Sequence, residues 1–552
     1  SGYVSDSTDC DDGEVAVNPD ATELCNDIDD DCNDGIDEGD AADASTWYAD
    51  TDTDSFGDPD VSTVACDQPS GYVSDSTDCD DGEVAVNPDV LEDCTDSTDN
   101  NCNDEIDEAC EYLSSSADLT IMGASSNDHS GVSFTAADIN GDSYDDLIIG
   151  AYAAESYKGR SSVFFGPLTA GNLTMESDES ITFVGGSSSS YSGWTVEAGD
   201  LDGDGYDDML IAGYYDSYVT SFAGSVYIIY GPQTGALSAS DADAVIHGKS
   251  SYDYLGYYQL AAYDIDGDGD DEAMIGAYGY DSSNTSAGAI GIFDAPTGNV
   301  QIDSGDYLLT GQDAYDYVGY SSGDIGDINN DGFADIGWGE PGDSVVYLML
   351  GPVSSGTYDS DDADVIIQGA TSSSSSSGGN YAGTDMTGGD FNGDGYADTV
   401  VGAMYDYITS TYQGSIALFY GPLSGTVSYG TDSNFRFYDP NTYNYVGSAY
   451  YGSVTVGDID EDGNDDLLIT NMYNEDVNAY GGAAFILYGP MSGDTPTTDH
   501  DVAIYGDASA YLGRHASALA DLDGNGSLDV VVGSYTASSY TGETYVFFDG
   551  QF

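Results

Sequence analysis

Positive charge is nearly absent from this chain: 5 Lys plus Arg stand against 103 Asp plus Glu in 552 residues, a formal net charge of −98. Nucleic acid and anionic membrane surfaces both call for basic patches, so neither is an expected partner. Proline is scarce at 13, and all eight cysteines lie between Cys10 and Cys110. Buried thiols of a cytosolic protein scatter along the sequence. Cysteines confined to one end read instead as a small disulfide framework joined to a larger domain that folds without one. An extracellular or surface location is expected from these cysteines rather than from a targeting signal. No apolar run approaches the roughly 18 residues needed to span a bilayer, so membrane insertion is not expected. Catalytic signatures are missing too: His129, His247, His500 and His515 share no motif, and no nucleophile elbow, HExxH or P-loop occurs. No catalytic residue and no organic cofactor is therefore assigned, and no enzyme is expected.

What the chain has is apolar and aromatic content, 40% and 12%, too much for the disorder that such acidity otherwise suggests. Glycine (72) and tyrosine (47) are abundant, which suits many short strands joined by tight turns.

Two repeat systems divide the sequence. Residues 1–20, SGYVSDSTDCDDGEVAVNPD, recur without a change at 70–89. The chain opens inside this repeat, so the array is expected to continue upstream. In the second system, acidic loops begin at Asp138, Asp200, Asp264, Asp327, Asp390, Asp458 and Asp521, spaced by 62, 64, 63, 63, 68 and 63 residues. Each is followed by an apolar run such as DLIIGA or DMLIAG, then by a strand that usually ends in Gly-Pro, then by a third such as ITFVG. A fourth, such as WTVEAGD, leads into the loop. Four antiparallel strands seven times over predict an all-β, seven-bladed propeller over 112–552, one sheet per blade. After the last loop only two strands remain. ADLTIMG (117–123) matches the missing outer strand and is expected to complete the seventh sheet and close the ring. Residues 1–111 form a separate, loop-rich, disulfide-stapled stalk.

The seven loops carry an oxygen-bearing side chain at positions 1, 3, 5 and 9 in every copy. In chain order these are Asp138, Asn140, Asp142 and Asp146; Asp200, Asp202, Asp204 and Asp208; Asp264, Asp266, Asp268 and Glu272; and Asp327, Asn329, Asp331 and Asp335. The last three loops supply Asp390, Asn392, Asp394 and Asp398; Asp458, Asp460, Asp462 and Asp466; and Asp521, Asp523, Asn525 and Asp529. Position 6 is Gly in all but one, where Ser143 stands. Calcium takes six to eight oxygen ligands, and alternate residues of a tight loop converge on one point. Magnesium prefers fewer carboxylates and keeps its waters. About seven calcium ions are expected in the propeller, and several more in the stalk. Twenty-four ligand carboxylates would face the charge of seven divalent ions.

The strand-loop-strand unit resembles the FG-GAP repeat of integrin α-subunit propellers and their bacterial relatives. The Gly of its first element falls at Gly131, Gly193, Gly256, Gly319, Gly383, Gly447 and Gly513, and the second element survives as Gly150-Ala151, Gly276-Ala277 and Gly402-Ala403. Leu255, Val318, Val446 and Leu512 replace the motif's Phe. The resemblance implies calcium in the acidic loops on one face and partners mainly on the other.

The stalk resembles MopE-like metal-binding repeats and, locally, thrombospondin type 3 repeats. The residues that carry this are DCDD…NP…E-x-C at 9–25 and 78–94, DDDCNDGIDE at 29–38 and YADTDTDSFGD at 48–58. Asp50, Asp52, Asp54 and Asp58 have calcium spacing. Asp27, Asp29, Asp31 and Glu38 fall at EF-hand positions 1, 3, 5 and 12, with Asn33 at position 7 and Cys32 where that loop has its turn glycine. Spacing leaves the disulfides open. Sequential pairing (Cys10–Cys25, Cys32–Cys66, Cys79–Cys94, Cys102–Cys110) is favoured, and a crossed scheme (10–32, 25–66, 79–102, 94–110) is second. Metal and disulfides must replace the core that so few apolar residues cannot form.

The segments that start each innermost strand are rich in tyrosine: SYDYLGYY (251–258), AYDYVGY (314–320), TYNYVGSAYY (442–451) and AYLG (510–513). They lie opposite the acidic loops, as an exposed face for a protein or glycan ligand or as packing between blades. Calcium-dependent adhesion or structure at a microbial surface is the leading expectation. Self-assembly into a fibre or array through stalk–propeller contacts would follow from it. The rival is a lectin or polysaccharide-cleaving propeller. Asn172 and Asn284 head glycosylation sequons, whereas Asn525 sits in a metal loop.

Overall fold

The computed structural model describes residues 7–548 except 12, 34, 38, 40, 89, 91–97, 103–109, 282–283, 371–378, 410–412, 442, 449–452 and 515–516. Two compact units result, Ser1–Glu111 and Tyr112–Phe552.

In the larger unit the described residues form seven five-stranded sheets. Each begins with an inner strand that leads through an acidic loop into a second strand, as Thr195–Gly199 leads into Asp208–Gly213. The second strand is buried at every residue and mostly apolar behind its leading acid: Asp208–Gly213, Asp398–Ala403 and Asp529–Ser534 are examples. A third strand (Ser225–Ile229) and a fourth (Ala244–His247) follow antiparallel. The inner strands pack against one another around a complete cycle, with Ser517–Ala520 of the seventh sheet meeting Ser130–Ala137 of the first. Apolar side chains fill the spaces between adjacent sheets: Leu119, Phe134, Leu147, Phe164, Leu522 and Val546 form one such layer between the seventh and first.

The expected count of four strands per sheet is corrected to five. The fifth runs parallel and comes from the next repeat: Gly235–Ser238 joins the first sheet beside Ile181–Val184, and Gly298–Gln301 joins the second beside Ala244–His247. These strands are short, half-exposed and polar, because only one edge faces a neighbour. Five of the seven follow a Gly-Pro turn and six begin at a glycine, which is the signal that reveals them; Cys110–Leu113 carries neither. At the closure, Leu119–Met122 pairs with Glu543–Phe547, and Gly171–Thr174 covers its other edge. The sixth sheet takes Cys110–Leu113 as its fifth strand.

The FG-type glycines follow from close approach. At Gly193 the backbone lies at φ +79°, and a Cβ would sit 2.4 Å from the Arg160 carbonyl oxygen. Leu255, Val318, Val446 and Leu512, in place of Phe, are fully buried. A smaller apolar residue therefore serves the same core position.

The N-terminal unit is built otherwise. Its one sheet has three strands, Asp58–Ala65, Ser45–Ala49 and Tyr72–Val73. Three disulfides are resolved, Cys10–Cys32, Cys25–Cys66 and Cys79–Cys102, and Cys110 is also oxidised; Cys94 lies outside the described residues. The favoured sequential pairing is thus overturned. Glu23 accepts backbone N–H bonds from Asp30, Asp31 and Asp37, and folds the 27–37 loop back so that Cys32 meets Cys10. Asp43 accepts the Cys25 N–H, while Ser45 pairs with Ala65, and this brings Cys25 to Cys66. Cys32 and Cys102 stand at φ +59° and +57°, the left-handed conformation that glycine supplies in EF-hand loops.

Candidate metal centres and the opposite face

Each acidic loop is a tight turn organised by its first carboxylate. Asp138 accepts the N–H groups of Gly141, Asp142 and Ser143, and Asp521 those of Gly524, Asn525 and Gly526. Positions 4 and 6 are left-handed throughout. Three non-glycine residues bear that conformation: Asn330 and Glu461 at position 4, and Ser143 at position 6, with φ +57°, +60° and +73°.

Position 9 is the buried pole of the loop. Asp146, Asp208, Glu272, Asp335, Asp398, Asp466 and Asp529 are all 0–1% exposed. Asp208 accepts the N–H of Leu201 at position 2 and that of Gly231 in the Gly-Pro turn, and so ties the loop to the end of the third strand. Asp335, Asp398 and Asp466 do the same. Burial pushes these carboxyls up against the pull of their N–H donors: to about 6 at Asp146, Asp335 and Asp466, about 7 at Asp208 and Asp398, and about 8 at Glu272. A cation beside them would reverse that shift.

Positions 1, 3 and 9 converge. One carboxylate oxygen from each of Asp200, Asp202 and Asp208 lies within 4.8 Å of the others, as do Asp264, Asp266 and Glu272. Where position 3 is Asn, its amide faces position 9: Asn140 Nδ2 stands 3.1 and 3.2 Å from the Asp146 oxygens, and rotation about the amide would present Oδ1 to the same gap. Buried oxygens without a hydrogen-bond partner remain at Asn329 and Asp458. The donor set is oxygen throughout, which fits a hard divalent ion. Position 5 is not part of these two groups: Asp204 is exposed and accepts the Tyr206 N–H.

Two contacts between neighbouring loops escaped the sequence reading. The position-8 Asp of one loop accepts the N–H of position 1 in the preceding one: Asp207 from Asp138, Asp271 from Asp200, Asp465 from Asp390, and Asp145 from Asp521 across the closure. Burial raises Asp145, Asp207 and Asp271 as well. The doubled acid that ends four of the loops was the available signal. Position 4 of one loop also meets position 7 of the next. A Cβ on Gly141 would strike Tyr206, and one on Gly524 would strike Tyr144; Ser527 donates to Glu461. The acidic loops therefore form one interlocked ring.

In the N-terminal unit, Glu23, Asp29 and Asp31 bring one oxygen each within 4.8 Å. Of the EF-like set, Asp29 and Asp31 are thus placed together, and Glu23 joins them from outside it. Asp27 instead donates its N–H to Asp37, and Glu38 lies outside the described residues. Two further groups, Asp50–Asp52–Asp81 and Asp52–Asp54–Asp78, take Asp78 and Asp81 from the second repeat. The expected Asp58 is not among them; its carboxylate accepts the Asp60 N–H.

On the face opposite the acidic loops, the tyrosines divide. In each Tyr-x-Tyr pair the first ring is exposed (Tyr252, Tyr315 and Tyr443) and the second packs on neighbouring aromatics, Tyr254 lying 5.5 Å from Tyr278 with planes 6° apart. Tyr157, Tyr218, Tyr407, Tyr480 and Tyr540, between second and third strands, are exposed too. Beneath them Tyr258 stacks on Tyr320 at 3.9 Å, and Arg514 sits over Trp194 and Tyr535 at 5.6 and 4.7 Å. His129 stacks between Tyr152 and Tyr535, with its pKa lowered by burial and by Arg514. His515 lies outside the described residues.

The FG-GAP repeat profile matches residues 130–164, 192–229, 256–293 and 382–419, and the Cu-binding MopE profile, a metal-binding motif, matches 9–38 and 78–108. Phosphatidylinositol-glycan-specific phospholipase D of Bos taurus is 27% identical over 214 residues, 36% of this chain and 25% of the relative. Integrin alpha-5 of Xenopus laevis is 29% identical over 236 residues, 41% of this chain and 21% of the relative. Integrin alpha-IIb of Mus musculus is 28% identical over 171 residues, 29% and 16% of the two chains. The chain thus spans a quarter or less of these relatives. A solved structure titled "Structure of Dos1 propeller" shares 10% identity at TM-score 0.34, over 61% of this chain and 66% of that one. Among the described residues no helix is long and apolar enough to cross a membrane. The chain carries FG-GAP repeats in its larger, propeller-like unit and MopE-type metal-binding motifs in its N-terminal region.

Proposed function

We propose that this is an extracellular, calcium-dependent adhesion or structural module. Its propeller presents a tyrosine-rich face, and its acidic ring is a mount set by calcium. The observation that carries the reading is the division of labour between faces. One side concentrates buried, unneutralised carboxylates in an interlocked ring, and the other exposes eight tyrosines on a bed of packed aromatic rings. Tyrosine gives a large contact area at low entropic cost and is favoured at protein and glycan interfaces. Partial similarity to integrin α-subunits supports adhesion, and the disulfides support an oxidising location. Binding is favoured over catalysis because the described histidines serve packing: His129 is stacked on tyrosines, and the Nδ1 atoms of His247 and His500 meet the carbonyls of Gly248 and Thr497.

At a net charge of −98, self-association needs cations between copies. Electron microscopy of the full chain with millimolar calcium and with EGTA tests assembly. Fibres or arrays in calcium alone are expected, and monomers in both conditions would sink the structural half of the reading. A glycan array in calcium separates the halves further: binding lost when Tyr252, Tyr315 and Tyr443 become Ala would make the protein a lectin.

A further inference from the structure

The two N-terminal repeats meet at a joint that no resolved disulfide crosses: Cys10–Cys32 and Cys25–Cys66 close within the first repeat, and Cys79–Cys102 within the second. What joins them is backbone pairing and carboxylates. Tyr48 and Ala49 pair with Val73 and Tyr72, the Asp50 N–H donates to the Gly71 carbonyl, and the Asp78 N–H donates to that of Gly57. This brings the 50–54 loop of one repeat onto the Asp78-Cys79-Asp80-Asp81 turn of the next. One oxygen each from Asp50, Asp52 and Asp81 falls within 4.8 Å of the others, and the same holds for Asp52, Asp54 and Asp78.

Five carboxylates there have nothing basic to answer them, since residues 1–111 contain no Lys, Arg or His. Asp78 is 1% exposed, and its Oδ2 is buried with no hydrogen-bond partner; Asp50 Oδ1 and Asp52 Oδ2 are buried and unpartnered too. Asp81 and Asp54 are held by donors. Thr51 donates to Asp81 through N–H and Oγ1 at 2.7 and 2.6 Å, and Asn87 Nδ2 donates to Asp54 at 2.8 Å, the latter again across the joint. A nine-tenths-buried carboxylate oxygen facing other carboxylates is a large cost without a cation, and a ready ligand with one.

We propose that this joint is a paired divalent-cation site in which Asp52 bridges two ions, one held with Asp50 and Asp81 and the other with Asp54 and Asp78. The donors are all hard oxygens, with no imidazole present and no free thiol among the described residues, so the ions are of the calcium type. Disulfides then fix each repeat internally, and calcium fixes the angle between repeats. The array is stiff in calcium and hinged without it. The site is separate from the propeller loops and does not depend on their occupancy.

The test uses the full chain with its disulfides intact. Bound calcium is counted by native mass spectrometry, and hydrogen exchange is followed at the Asp50 and Asp78 amides. Asp52→Asn should bind two ions fewer than wild type, Asp78→Asn and the more exposed Asp81→Asn one fewer each, and Asp58→Asn the same number. Calcium should slow exchange at the joint in wild type and Asp58→Asn but not in Asp52→Asn, while still slowing the propeller loops in all of them. A wild-type count in both Asp52→Asn and Asp81→Asn overturns the proposal. So does joint exchange that ignores calcium in wild type. Calcium at the joint with none in the propeller would leave the joint standing and sink the calcium-set ring instead.

Discussion

The two units reach order by opposite routes. In the propeller, apolar strands bury whole sheets against one another, and buried apolar side chains far outnumber the buried polar ones among the described residues. Among the described residues of the N-terminal unit the buried apolar ones are Val17, Ala41 and Val86, fewer than the buried Glu23, Asp30, Asp78, Asn87 and Asn100. Val15, Ile28, Ile36 and Val84 stay exposed. Polar side chains there act as the core, each accepting or donating to backbone a turn away, with disulfides holding the result. A hydrophobic core tolerates loss of one contact, whereas a polar one depends on cross-links and counter-charge.

Removing cations and cutting disulfides should therefore act on different units, and crossing the two treatments sharpens the comparison most. Chelation should lower the propeller's calorimetric transition by a loss on the order of 10 kcal/mol, since a site at 100-fold saturation contributes roughly 2.7 kcal/mol. Reduction should unfold the N-terminal unit, each disulfide contributing about 2–5 kcal/mol, and leave the propeller transition in place. One transition responding equally to both treatments would erase the distinction.

Acidity gives the next effect. The position-9 carboxyls have folded pKa values raised by burial to about 6, 7 or 8, above their ordinary range. The metal-free folded state thus holds more protons than the unfolded chain, so its stability is fully present below about pH 4 and is lost as pH rises through 6 to 8. Dialysed, metal-free protein should melt higher at pH 5 than at pH 7.5, and added calcium should flatten that slope. A metal-free melting temperature that rises with pH would contradict the burial seen at Asp208 and Glu272.

Smaller effects test the ring itself. Asp207→Ala removes the acceptor of the Asp138 N–H and should cost roughly 1–3 kcal/mol in denaturant unfolding. Asp207→Asn keeps an oxygen and should cost less. Where the equivalent residue is already Ala334 or Ala397, the neighbouring loops are joined without this carboxylate, so the loss should be partial. Ser143→Gly should stabilise by about 1 kcal/mol, because Ser143 bears at φ +73° the conformation its six counterparts meet with glycine.

The fold was legible where the sequence repeats. Seven loops at a near-constant period imply seven sheets, and the shortage of strands after Asp521 pointed to residues 117–123 before any pairing was seen. The parallel fifth strands were not legible, because four polar residues with one covered edge carry no hydrophobic alternation. Position 9 could be read as a ligand from its loop alone, but Asp145, Asp207, Asp271 and Asp465 could not be read as latches, since their partner lies a whole repeat away. Distance along the chain also hid Asp78 and Asp81, whereas Glu23, close to Asp29 in sequence, was missed because it precedes the regularly spaced loop. Spacing favoured the sequential pairing of the cysteines, whereas the three resolved disulfides follow the crossed alternative, their partners brought together by Glu23 and Asp43 rather than by proximity along the chain.

The fifth strands carry a mechanical corollary. Leu119–Met122 is gripped on both edges, by Glu543–Phe547 and by Gly171–Thr174, and Asp118 adds two bonds, its carbonyl accepting the Gly171 N–H and its carboxylate the Phe548 N–H. Tension passed on beyond Cys110–Leu113, which belongs to the sixth sheet, would load both rows together and in shear, along the strand rather than across it. Every other sheet is overlapped in the same way by its successor, so a pull on one blade is shared with the next, like tiles on a roof. A head that must hold under drag is well served by that arrangement.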